Sequence, residues 1–168
     1  MRDELYKRAE QEFGPVIDRL AAGYEADPDK RRDLKQEIHF QLWRSLERFD
    51  GRCELKTWTF RVAHNTAASY VAKERRRNTG LVTLEEFDTA TPLSVEANID
   101  RERALARLSE LIWRLKPLDR QIMLSYLEEM DAATIADITG LSPANVAMKI
   151  SRIKNLLAKS FDQERRHA

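Results

Sequence analysis

The chain has 168 residues, 42% apolar and 34% charged, the balance of a helix-rich globular protein of one or two domains, which excludes disordered and collagen-like classes. The net charge of +1 conceals a pattern: residues 1–80 carry 17 Lys/Arg against 14 Asp/Glu, residues 81–100 none against 5, and residues 101–168 12 against 9, so two basic halves flank an acidic connector. Charges throughout residues 1–13 exclude a signal peptide there, no run is long enough to cross a bilayer, and the lone Cys53 excludes an internal disulfide or a thiolate metal cluster, so a cytoplasmic protein with no membrane contact is expected.

Residues 3–23 read as a helix on Leu5, Ala9, Val16, Ile17 and Leu20. Gly14-Pro15 predicts a break and a restart with Pro15 in a first turn, and Gly23 predicts the stop. After the polar connection 25–29, a second helix runs from about 30 to 48. Its stripe of Leu34, Ile38, Leu42 and Leu46 is ordinary core, while Gln36, Phe40 and Trp43 fall on roughly the opposite side. Two such faces suit a helix sandwiched in a bundle or one that offers its second face to a partner, and periodicity favours the sandwich. His39 lies between the faces, as a packing or solvent-facing residue.

The segment Asp50-Gly51-Arg52-Cys53-Glu54 has turn chemistry, Gly51 permitting positive φ, and Thr57 is the expected N-cap of a third helix. At 100° per residue, one side of that helix collects Phe60, Ala63, Ala67, Tyr70 and Val71, fit for packing on other helices. The other collects Trp58, Arg61, Val62, Asn65, Ser69 and Lys73, which combine a ring that can stack, an amide that can read a base edge and cations that can hold phosphate. The helix exits into Lys73-Glu74-Arg75-Arg76-Arg77, where cations suit the negative end of the helix dipole. A solvated amphipathic helix with a basic end would look similar. Cys53 and His64 form the one conceivable Cys/His nucleophile pair, and without an orienting third group or a Gly-rich oxyanion loop no enzyme chemistry is expected. His39, His64 and His167 have no ligand spacing, so no metal or other cofactor is expected.

Residues 78–100 contain little periodicity and no cation, and read as a linker. Fully extended, the 20-residue acidic tract spans at most about 65–70 Å. From Arg101 helical periodicity returns through Leu105, Leu108, Leu111, Ile112 and Leu115, breaks at Pro117, and resumes through Ile122, Met123, Tyr126 and Leu127. Residues 131–154 then carry the strongest pattern in the chain, a helix-turn-helix. Ala136 is the small residue at the crossing, Gly140 allows positive φ in the turn, and Ser142-Pro143 supplies an N-cap and a first-turn proline. Leu141, Val146, Ile150, Ile153 and Leu157 face the core, which leaves Asn145, Met148, Lys149 and Arg152 outward, where a recognition helix meets the major groove. Residues 142–168 hold 6 Lys/Arg and 2 Asp/Glu, so this end is also basic.

The order of these parts resembles the extracytoplasmic-function (group IV) sigma factors of bacterial RNA polymerase. Asp33, Leu34, Gln36, Glu37 and Trp43 match one family motif, Phe49, Gly51, Glu54, Thr57, Trp58, Arg61, Ala63 and Asn65 a second, and Ile135, Ala136, Gly140, Ser142, Val146, Lys149 and Arg152 a third. The resemblance implies an all-α protein of two helical domains. Residues 1–78 would be sigma region 2, residues 79–100 an acidic linker threading the polymerase cleft, and residues 101–168 the region 4 helix-turn-helix.

It implies that region 2 takes the promoter minus-10 element as single strand, through Phe49, Gly51, Arg52, Glu54, Trp58, Arg61, Asn65, Lys73 and Arg76, with one base held in the loop 49–55. Region 4 would read the minus-35 element as duplex through Asn145, Met148, Lys149, Arg152 and Lys154. Asp33, Gln36, Glu37 and Phe40 would dock on core RNA polymerase. The family commonly has acids where this chain has Lys30, Arg31 and Arg32, which implies either weaker docking or compensation by an activator or a charge-adding modification. An anti-sigma factor is a common partner in the family. Two other readings stand beside this one: a stand-alone helix-turn-helix transcriptional regulator, which leaves the Trp58/Asn65 face without purpose, and a helical scaffold that binds no DNA.

Overall fold

A computed structural model describes residues 1–79 and 100–165, and the predicted linker lies almost wholly outside the described residues. The N-terminal half is a bundle of α1 (Arg2–Tyr24), α2 (Pro28–Ser45) and α3 (Leu55–Thr79), with one tighter helical turn, Leu46–Arg48, after α2. The C-terminal half contains α4 (Asp100–Arg114), α5 (Pro117–Leu127), α6 (Ala132–Thr139) and α7 (Pro143–Arg165). The all-α, two-domain expectation holds. Asp27 starts α2 by accepting from the Asp29 and Lys30 amides, with Pro28 at the first helical position, where its missing N–H costs nothing. The stripe Leu34, Ile38 and Leu42 is fully buried, each side chain stabilising the fold by about 1.5–3 kcal/mol.

Four local expectations are corrected. Helix α1 runs unbroken through Gly14-Pro15. Proline normally expels its predecessor from helical geometry by a clash with Cβ, and Gly14 has none. Ala9, Ile17 and Leu20 bury one continuous stripe across the site, which holds the helix together despite the missing Pro15 N–H. Gly23 is not the stop. The helix ends at Tyr24 with extended Glu25 as its cap, and Gly23 instead lets α5 approach, since a Cβ there would stand 2.5 Å from Leu124 Cδ2. Thr57 is not the N-cap of α3, which begins at Leu55 with the Glu54 carbonyl accepting from the Trp58 amide; Thr57 is buried within the first turn. Finally, α2 is not sandwiched: Phe40 is 53% exposed and Asp33 and Gln36 face solvent.

The helix-turn-helix forms as its residues require. Asp131 accepts from the Thr134 amide at the start of α6, Gly140 closes α6 in left-handed geometry at φ 77°, and Ser142 Oγ accepts from the Asn145 amide at the start of α7. Buried Arg120 joins α5 to α4, donating to the carbonyls of Ile112, Trp113 and Leu115 at the negative end of α4. Burial pulls its pKa below the ordinary range, and the Tyr24 ring of α1 lies 5.7 Å from it.

The halves are packed on one another. A single apolar core runs from Ala9, Ile17 and Leu34 through Phe60 and Ala67 to Ile122, Ile135 and Val146, and a second, around Leu111, Met123, Ile153 and Leu157, lies within the C-terminal half.

Candidate nucleic-acid interface

The loop before α3 turns at Gly51, whose φ of 75° favours glycine, and Asp50 stabilises the turn by accepting from the Arg52 amide. Arg52 and Glu54 project into solvent, Arg52 paired with Asp50 at 3.1 Å, while Phe49 and Cys53 are half-buried. Trp58 stands edge-on to Phe49 with ring centroids 5.5 Å apart and donates its indole N–H to Ser45 Oγ at 3.0 Å. The ring is therefore braced rather than free to swing, with part of its surface open. Asn65, Ser69, Lys73 and Arg76 are exposed along the same helix, whereas Val62 packs on the core. Arg61 is half-buried and donates to the Asp137 carbonyl of α6 at 2.6 Å.

The opposite face of α3 packs as its periodicity predicts, with Phe60, Ala63 and Ala67 buried and Tyr70 and Val71 partly so. His64 is also on this face, 1% exposed, and both ring nitrogens are occupied: Nδ1 by Tyr24 Oη and Nε2 by Ser125 Oγ, each at 3.0 Å. It is committed to packing rather than to Cys53. Burial lowers its pKa to about 3.

On α2, Asp33, Gln36 and Phe40 stand outward, and Glu37 is half-buried and accepts from Gln41. Trp43 is partly covered, since Arg2 lies 3.7 Å over its ring and Asp3 accepts from its indole N–H. Of the three cations before this face, Arg31 donates to the carbonyls of Glu25 and Ala26, and Lys30 pairs with Glu74 at 3.6 Å. Arg32 alone of them reaches into solvent, beside Asp29.

On α7, Val146, Ile153 and Leu157 are buried, and Asn145, Met148 and Arg152 are exposed on the far side. Lys149 departs from its expected place. It lies on the flank toward α5, half-buried, with Nζ 3.0 Å from Asp119 Oδ1. Lys154 is exposed and also meets α5, farther along, 3.4 Å from Tyr126 Oη and 5.4 Å from its ring.

The description "Sigma-70 region 2" matches residues 11–77, and "Sigma-70, region 4" matches residues 105–157, so the two together span most of the chain. The chain belongs to the sigma-70 family. Similar proteins include the ECF RNA polymerase sigma-E factors of Haemophilus influenzae, 27% identical over 134 residues, and of Escherichia coli K12, 25% identical over 127 residues. These alignments cover 74% and 72% of this chain and 71% and 66% of those proteins. The fold matches CnrH in complex with the cytosolic domain of CnrY (TM-score 0.68, 18% identity, 94% of this chain and 88% of that one). It also matches the sigma factor RpoE in complex with the anti-sigma factor NepR from Bartonella quintana (TM-score 0.66, 20% identity, 93% and 98%). This is an alternative sigma factor of the extracytoplasmic-function type, directing transcription initiation.

Two residues of the sigma factor's outward α7 stripe escape a reading that stops at residue 154. Asn155 and Lys159 are exposed and continue the line through Met148 and Arg152 at helical steps of three and four residues. Extending the same projection to the end of the helix finds them. Among the described residues no helix is long and apolar enough to cross a membrane.

Proposed function

We propose that this sigma factor docks on core RNA polymerase through Asp33, Gln36, Glu37 and Phe40 of α2 and recognises a promoter with two separate surfaces. The domains extend over residues 1–78 and 101–168, joined by the linker 79–100. The first takes the minus-10 element as single strand: Trp58 holds the opened junction, the loop from Phe49 through Gly51, Arg52 and Glu54 pockets an extruded base, Asn65 reads a base edge, and Arg61, Lys73 and Arg76 hold phosphates. The second reads the minus-35 duplex through Asn145, Met148 and Arg152, with Asn155 and Lys159 extending the surface. Lys149, tied to Asp119, braces the recognition helix, and Lys154 borders the groove.

The observation that carries this reading is the pair of outward polar stripes, one on α3 and one on α7, in a chain that matches both sigma regions. An exposed Phe40 on the open face of α2 supports a protein partner there. An anti-sigma factor is a further partner we infer, as both matched folds are complexes, one with the anti-sigma factor NepR and one with the cytosolic domain of CnrY.

Purified chain added to core polymerase should give promoter-specific transcripts without another sigma factor. A stand-alone regulator would need one, and a scaffold would give none. Trp58→Ala combined with Asn65→Ala should abolish promoter opening while leaving duplex binding by α7 intact; unchanged opening and start-site choice would overturn the minus-10 assignment.

A further inference from the structure

The indole of Trp58 has one polar group, and the protein uses it internally. An indole N–H can only donate, and this one donates to Ser45 Oγ at 3.0 Å. The Ser45 hydroxyl gives its own hydrogen to the Leu42 carbonyl at 2.9 Å, which leaves an oxygen lone pair to face the ring. Two hydrogen bonds run in series from α3 to the backbone of α2, and each polarises the other in the same direction.

The place of Ser45 in the chain makes this use of its side chain unusual. Ser45 is the last residue of α2, and the tighter turn Leu46–Arg48 begins directly after it. A serine at the start of a helical segment ordinarily caps it, yet this side chain makes no cap bond. It reaches 13 positions along the chain to Trp58 instead. Its footing is firm, because Leu42 is fully buried and Leu46 is 2% exposed. Phe49, at the end of the same turn, adds the edge-on ring contact with centroids 5.5 Å apart. One short stretch, 45–49, therefore supplies both the acceptor and the ring that fix Trp58, while part of the indole surface stays open.

We infer that Ser45 is a positioning residue for promoter opening: its hydroxyl sets the plane of the Trp58 ring, which then meets the strand as a fixed stacking surface with no hydrogen bond of its own to give. This rests on the proposed role of Trp58 at the opened junction. A base that leaves its neighbour is caught only where a π face already stands in the right plane, and such a face accepts any base. Without the hydroxyl, the indole N–H either turns toward water or stays unpaired on a half-buried ring, and both outcomes lose the fixed orientation.

Three variants of the full chain test this. Ser45→Ala removes the hydroxyl, Ser45→Thr keeps it, and Trp58→Phe keeps a ring with no N–H to place. With core polymerase, promoter opening followed by the reactivity of unpaired thymines to permanganate should slow about tenfold in Ser45→Ala, an effect that one hydrogen bond can supply, and recover in Ser45→Thr. Affinity for core polymerase should stay the same. Combined with Trp58→Phe, Ser45→Ala should add no further loss, because the interaction it removes is already absent. The indole N–H signals in the NMR spectrum of the free chain, which has three tryptophans, read the ring directly. Ser45→Ala should shift the one signal that Trp58→Phe deletes and speed its exchange with water, and leave the other two in place. Opening at the wild-type rate in Ser45→Ala, or an equal loss with and without Trp58→Phe, overturns the inference. If Trp58→Ala also leaves opening untouched, the proposed role of Trp58 has failed; if Trp58→Ala abolishes opening and Ser45→Ala does not slow it, only the positioning role has.

Discussion

His64 makes a prediction about acid that can be worked through. Its ring is enclosed by the Tyr24 hydroxyl on Nδ1, the Ser125 hydroxyl on Nε2 and the Phe60 ring, whose centroid is 6.5 Å away. Behind Tyr24 lies the Arg120 guanidinium, and burial raises the Tyr24 phenol, so none of these neighbours is anionic at neutral pH. With no negative charge to compensate, burial holds the imidazole neutral, with a pKa of about 3 against an ordinary 6.5. The unfolded chain therefore binds more protons than the folded one as pH falls below about 6.5, and stability drops throughout that window. The whole shift corresponds to about 5 kcal/mol, of which about 2 kcal/mol is lost between pH 7.5 and pH 5.

Denaturant unfolding at several pH values in that interval, for wild type and His64→Gln, isolates this group. The variant should be less stable at pH 7.5 and lose about 2 kcal/mol less on going to pH 5, because an amide does not titrate there. Half-buried His39, whose pKa burial also lowers, and the depressed carboxyls of Asp3, Asp27 and Asp131 are common to both proteins and cancel in the difference. Parallel stability curves for the two proteins would refute the claim that a neutral His64 is buried between the halves.

Three further outcomes are expected. Arg152→Ala should weaken binding to the preferred duplex by about 1–3 kcal/mol and relax sequence preference at one position, while Lys149→Met, which breaks the ion pair to Asp119, should leave sequence preference unchanged and lower the melting temperature instead; titrations with the preferred and singly substituted duplexes compare the two. Arg32→Asp, at the one outward cation before the α2 docking face, should strengthen binding to core polymerase, measured by equilibrium titration, and equal affinities would remove the charge argument. Pro15→Ala should stabilise the protein by about 1–2 kcal/mol, because the backbone donor missing from the middle of α1 is restored, and a thermal melt reads it directly.

What could be read from the residues followed from how far apart the interacting groups lie in the chain. The apolar face of α3 and the turn of the helix-turn-helix depend on neighbours within a few positions, so Phe60, Ala63, Ala67, Ala136 and Gly140 could be placed from spacing alone. The join between the halves depends on pairs 61, 76, 91 and 109 positions apart, and no local pattern marks Ser125, Arg61, Trp113 or Glu128 as meeting anything. Gly14 and Gly23 differ from their expected places for a related reason. Each has the chemistry of punctuation, whereas one relieves a clash with the next residue and the other receives a side chain from a different domain. Lys149 shows the limit of angular projection: a residue on the shoulder of a helix goes outward or sideways according to whether a partner such as Asp119 is within reach.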